Sequence, residues 1–188
     1  MYKNIEFPCV NLKKRLFENP ILKSRCIQME KDIFNFINLI RQNPSQLITY
    51  LKNKQQENKN IYEIEQTIHF VNNLLKNSIS FPPLIQKKEL TKVSYELLNY
   101  IINLKKTNRR IQYDLLNNPN ISLKMRAAPY IRIIGKYYEG IALESNNLFH
   151  IISYVLRDYK GRSVLFNEKI KYIGIACGYI DDISNKNI

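Results

Sequence analysis

The sequence predicts an α/β fold, a three-layer α-β-α sandwich, on three observations. Four stretches carry apolar residues at helical spacing, the two stretches Tyr130–Ile134 and Lys136–Leu143 are β-rich in composition, and Lys171–Ile180 is apolar on both of its faces. A strand apolar on both faces belongs in the middle of a sheet covered from both sides, and helices flanking such a sheet make three layers the simplest arrangement.

Taken in order, residues 1–28 lack sustained periodicity and carry Pro8 and Pro20 among basic and apolar residues, so they read as an extended N-terminal arm. The arm's partner-binding candidates are its aromatic anchors Phe7 and Phe17 and its basic run Lys13, Lys14 and Arg15. The domain itself is assigned to residues 29–182, with a short tail over 183–188 and no internal repeat. From Met29, Ile33, Phe36, Ile37 and Ile40 recur at i, i+3, i+4 and i+7, the pattern of an amphipathic helix. Asn43-Pro44-Ser45 interrupts it, because the residue before proline disfavours helix, and a second piece runs from Ser45 to Leu51. A polar loop is expected over Lys52–Asn60, followed by a helix carrying Ile64, Ile68, Val71 and Leu75.

Phe81-Pro82-Pro83-Leu84 reads as a rigid extended connector. Leu90, Val93, Leu97, Ile101 and Leu104 mark a long helix ending near Lys106, and residues 107–128 read as a polar loop. Ser145-Asn146-Asn147 supplies capping residues for a last helix with Leu148, Ile151, Ile152 and Val155. In the closing strand, Gly174 and Gly178 fall on one face, where a helix could come close.

Net charge is +13, and the cations concentrate at Lys13-Lys14-Arg15, Lys87-Lys88, Lys105 and Lys106 through Arg109 and Arg110, and Lys124 to Arg132. Lys105, Lys106, Arg109 and Arg110 are the candidate basic surface. Excess charge of this size points to an anionic partner: an acidic protein surface, nucleic acid or an anionic membrane. No apolar run approaches the ~20 residues of a membrane span, and polar residues break the N-terminus before a signal-peptide core could form. Three cysteines, Cys9, Cys26 and Cys177, with no C-x-x-C pair, form neither a disulfide framework nor a zinc module. The expectation is an intracellular, not secreted, protein.

Chemistry-bearing motifs are sparse. His69 and His150 are isolated in helical patterns and read as structural, and neither nucleotide-binding glycine motif occurs. Tyrosines interleaved with cations could stack on bases, but no RNA-recognition signature accompanies them.

Several segments, in order, are similar to the CAP superfamily (cysteine-rich secretory proteins, antigen 5, pathogenesis-related 1). They are Ile37-Asn38-Leu39-Ile40-Arg41-Gln42-Asn43-Pro44, Pro83-Leu84 followed by Leu90, Tyr138-Glu139-Gly140-Ile141-Ala142, Phe166-Asn167, and Tyr172 to Gly178. The resemblance covers about Met29 to Ile180 and implies the sandwich named above. It also implies a groove in which two histidines and two acids can hold a divalent metal. Here the first histidine position holds Leu97 and the second is deleted or held by Gly161; Glu139 stands at the first acidic position and Asp158 is nearest to the second. The resemblance therefore implies a fold kept without its metal chemistry, with no cofactor and no enzymatic activity.

The function expected from the sequence is a structural or scaffold component binding an acidic partner, such as a tubulin-like lattice in a cytoskeletal or ciliary microtubule assembly. Lipid, sterol or anionic-membrane binding is the alternative, and a ribonucleoprotein component the second alternative.

Overall fold

The computed structural model describes residues 20–57, 61–76, 80–104, 122–135, 137–142 and 148–178. The first helix, α1 (Pro20–Gln42), starts on a proline, whose fixed φ suits the first helical position. It buries Cys26, Glu30, Ile33, Ile37, Ile40 and Arg41, a stripe at three- and four-residue spacing. It stops at Asn43, before Pro44, which opens α2 (Pro44–Glu57). Leu47 and Leu51 of α2 pack against α3 (Ile61–Lys76), where Val71 is fully buried. Residues 20–28, read from the sequence as part of the arm, are helical. So are Lys52–Glu57, where a loop was expected: their polar side chains hide a continuation of α2. Polarity alone does not end a helix, since Lys, Gln and Glu are good helix formers.

The connector has no helix or strand through Leu84 and then pairs briefly, as β1 (Ile85–Gln86), before α4 (Lys88–Leu104). Val93, Leu97 and Ile101 form the buried stripe of α4. The short α5 (Leu123–Ala127) lies inside the expected polar loop. Next come α6 (Leu148–Arg157) and α7 (Tyr159–Leu165), separated by Asp158, whose side chain accepts from the Lys160 amide at 3.0 Å and caps α7. Finally β2 (Tyr172–Ile173) runs parallel to β1, with Ile85 opposite Tyr172 and Gln86 opposite Ile173.

The three-layer α-β-α sandwich is overturned: the described chain is mostly helical, with one two-stranded ribbon of two residues per strand. The apolar residues that suggested a sheet are used otherwise. Tyr130 and Ile131 donate their amides to the Ala127 carbonyl in a turn, and Gly135 takes a φ of 88° that breaks any strand there. In the closing segment Gly174 passes so near the start of α4 that a Cβ would overlap Leu90's backbone. The close helix approach read from Gly174 is present, but it ends the strand rather than covering a sheet. The Cys177 amide then donates to Glu30 at 2.9 Å. A β-rich or wholly apolar composition records that side chains are buried, and loops packed on helices satisfy it as well as ladders do.

The main core joins α1, α2 and α3 to the connector, α6 and α7. Phe166 is its aromatic centre, with ring centroids 5.7 Å from both Phe70 and Phe81. Beside it lies Arg41, with none of its surface exposed. Its Nε and Nη2 donate to the Pro82 carbonyl at 3.0 and 2.8 Å, Nη1 donates to Leu165 O, and Nη2 reaches Asn167 O and Ile170 O at 3.3 Å each. The Phe81 amide returns a bond to the Arg41 carbonyl at 3.0 Å, and the guanidinium lies 5.7 Å from the Phe81 ring centre. Burial lowers the pKa of Arg41, yet a guanidinium keeps its proton in proteins. One side chain thus ties the end of α1 to the connector and to the turn after α7.

Replacing Arg41 by Leu should destabilise the protein by about 3 kcal/mol or more, because several buried carbonyls lose their donor together. Arg41→Lys, with a point charge instead of a fork, should recover only part of that loss. Urea unfolding of the two variants checks both the size and the order.

Candidate functional site

The two acids assigned to the residual groove, Glu139 and Asp158, are engaged by different partners. Gly161 is buried in α7, where a Cβ would strike the Val155 carbonyl and lie 3.0 Å from the Tyr138 ring. Asp158, at the start of the same helix, holds the Tyr138 hydroxyl; burial first, then the Asp158 charge and hydrogen bond, pushes that phenol's pKa up. Tyr138 therefore packs over Gly161 and bonds to Asp158.

Glu139, the next residue, is engaged by α5 instead. Both of its oxygens accept from Arg126 Nη2, and Arg126 Nη1 donates to the Val93 carbonyl of α4 at 2.7 Å. Leu97, one turn further along α4, is a buried apolar residue in the helix's own stripe. Burial raises the Glu139 carboxyl above its usual range, and the Arg126 charge and hydrogen bond partly offset the shift. Glu139 thus works as one half of a structural ion pair fastening the 137–142 segment to α4 and α5. Among the described residues, no group of three or more His, Cys, Asp or Glu side chains is placed to hold a metal ion. His69 is exposed on α3, its Nδ1 3.4 Å from Asn73 Nδ2.

A second buried polar cluster joins α1, α4 and the closing segment. Glu30 accepts from the Tyr95 hydroxyl at 2.6 Å and from the Cys177 amide at 2.9 Å. Burial, reinforced by Glu30 and Cys26, pushes the Cys177 thiol up to about 12, and burial followed by Glu30 raises Cys26 as well. Thiols held protonated are poor nucleophiles and poor metal ligands, so this cluster reads as structure.

The open chemistry lies on the surface in front of α4. Lys92 Nζ sits 5.5 Å from the ring centre of Tyr130, Lys124 Nζ 5.4 Å from Tyr137, and Lys87 Nζ 4.6 Å from Tyr172. Each is within cation–π range, and all three tyrosines are exposed. The Tyr130 hydroxyl donates to Glu96 on α4 at 2.5 Å, while Lys88 and Arg132 are exposed nearby in sequence. The Arg126 anchor to Val93 O sets this face, because it holds α5 and the segment after it against α4. The sequence pointed to the Lys87-Lys88 and Lys124-to-Arg132 cation runs, but not to their pairing with tyrosines from distant segments. The other basic candidates, Lys105, Lys106, Arg109 and Arg110, and the arm residues Phe7, Lys13, Lys14, Arg15 and Phe17, lie outside the described residues.

A broad open groove of about 520 Å³ lies elsewhere, between α3 and α7, lined by Glu65, Gln66, His69, Phe70, Asn73 and Arg162. Its cation is engaged inwards: Arg162 donates to Leu156 O at 2.6 Å and stacks 5.8 Å from the Phe70 ring centre.

Removing the inner anchor gives a test with a definite pH sign. Arg126→Met should cost about 3–5 kcal/mol at neutral pH, because it leaves the Glu139 carboxylate buried without its partner. A carboxyl whose pKa is raised on folding adds stability below its unfolded pKa of about 4 and loses it as pH rises through the folded value. Without Arg126 the Glu139 pKa rises further, so the variant's deficit should shrink between pH ~7 and ~4. Paired urea titrations at the two pH values measure this, and a deficit unchanged by pH would contradict it.

Comparison with known proteins places this chain in no group: no family model, no curated protein and no solved structure matches it.

Proposed function

We propose that this protein is a non-catalytic interaction component that works inside the cell by binding an acidic protein surface. The observation that carries the reading is the exposed lysine–tyrosine face in a chain of net charge +13. A surface of this sign attracts an anionic partner over the Debye length and adds aromatic contact area at short range. Cys26 and Cys177 are unpaired, which suits a reducing compartment. No helix among the described residues is long and apolar enough to cross a membrane. The segments similar to CAP domains enter the reading as structure: Glu139 with Arg126, and Asp158 and Gly161 with Tyr138.

A cytoskeletal or ciliary microtubule lattice is the partner proposed, because it offers a repeated acidic surface to a basic protein. The full chain should co-sediment with polymerised tubulin at about 0.05 M salt. It should be released near 0.5 M, where the Debye length is only about 4 Å. Absence from the pellet at low salt, with anionic vesicles or copurified RNA retained instead, would move the protein to the membrane or ribonucleoprotein reading.

A further inference from the structure

We propose that the lysine–tyrosine face is a docking strip for an extended acidic polypeptide, a segment rich in glutamate and aspartate. The proposal rests on the acidic-partner reading and gives that partner a location and a chemical form.

The strip is assembled from three stretches of the chain, around α4, around α5 and at β2. Lys88 and Lys92 are four residues apart on α4, so they share a helix face. Lys92 reaches Tyr130, and Arg132 follows two residues later; Lys124 on α5 reaches Tyr137 from the same region. Lys87, just before α4, extends the strip to Tyr172 of β2. Five cations (Lys87, Lys88, Lys92, Lys124 and Arg132) stand against the carboxylates Glu89 and Glu96, and Glu96 already receives the Tyr130 hydroxyl. Lys87, Lys92 and Lys124 each rest on a different tyrosine ring, so their ammonium groups are held at three separate rings instead of being gathered at one. That arrangement matches a chain of separated carboxylates better than a compact anion.

The tyrosines decide between a polypeptide and single-stranded nucleic acid. Tyr130, Tyr137 and Tyr172 are 38%, 45% and 47% exposed, so each ring is partly covered. Lys92 and Lys124 are themselves exposed, and their ammonium groups already hold cation–π positions on their rings. A base stacking there would have to displace the ammonium that should meet its phosphate, so stacking and charge pairing compete at the same ring. A carboxylate has no such conflict. It meets an ammonium already positioned by its ring, which lowers the ordering cost of a flexible lysine on binding.

The test uses the full chain and fluorescence anisotropy at about 0.1 M salt, where the Debye length is about 10 Å, with two probes, a peptide of about a dozen glutamates and an oligouridylate of equal length. Lys92→Glu/Lys124→Glu should weaken peptide binding at least about tenfold. Lys52→Glu/Lys76→Glu, which changes net charge equally at exposed positions off the strip, should leave binding within about twofold. Lys92→Gln/Lys124→Gln, with a smaller charge change, should give an intermediate loss, and it replaces the reversal pair if that pair melts early. Equal weakening by both reversal pairs would overturn the strip while leaving the acidic-partner reading intact. Failure of the wild type to bind the peptide would overturn both. Tighter binding of oligouridylate than of the peptide would overturn the polypeptide assignment.

Discussion

A fully buried guanidinium that donates to four backbone carbonyls holds this structure together. Arg41 closes α1, receives the connector through Pro82, and reaches the turn after α7 through Leu165, Asn167 and Ile170. Leu165 ends α7 and Pro82 is followed by another proline, places where the backbone has no regular partner of its own, while Asn167 and Ile170 lie in the turn after α7. A planar fork with five N–H donors can serve several of them at once, which a lysine cannot. The aromatic core of Phe70, Phe81 and Phe166 packs directly beside this hub, so the apolar and polar parts of the interior fix each other's position.

The same division of labour extends through the molecule. Arg126 and Arg162 are also buried and donate to the carbonyls of Val93 and Leu156, while Lys88, Lys92, Lys124, Lys160, Lys169 and Lys171 are exposed and Lys87 is half-buried. Guanidinium is the more weakly hydrated cation and the better multi-point donor, so it is the one that tolerates burial. Ammonium groups remain at the surface, and three of them rest on tyrosine rings. Fold and proposed function are linked by this sorting: Arg126 secures α5 and the following segment, and that placement brings Lys92 to Tyr130 and Lys124 to Tyr137.

The helices were the legible part of the sequence. The stripe through Ile33, Ile37 and Ile40, the break at Asn43-Pro44, the helix-free Phe81–Leu84 connector and the stripe through Val93, Leu97 and Ile101 all stand where periodicity and proline chemistry place them. The sheet was not legible. Tyr130–Ile134 and Lys171–Ile180 have strand composition, but composition does not report whether a neighbouring strand is available. Here the Ala127 carbonyl, Glu30 and the close passage of Gly174 under α4 take those roles. The surface was legible only in half: cation runs are visible in one dimension, whereas the pairing of Lys87 with Tyr172 joins residues far apart in the chain. Arg41 and Arg126 gave no sequence signal of burial, since arginine is usually exposed.

The central claim is that the interior arginines build a helical scaffold whose α4–α5 edge meets acidic carboxylates. The most direct measurement is amide and side-chain chemical-shift mapping of the labelled full chain during titration with a glutamate-rich peptide. The account predicts shifts concentrated at Lys88, Lys92, Lys124, Tyr130 and Tyr137, with the signals of Arg41, Phe81 and Leu165 unmoved. Shifts centred instead on Gln66, His69 and Asn73 along the α3–α7 groove would contradict it.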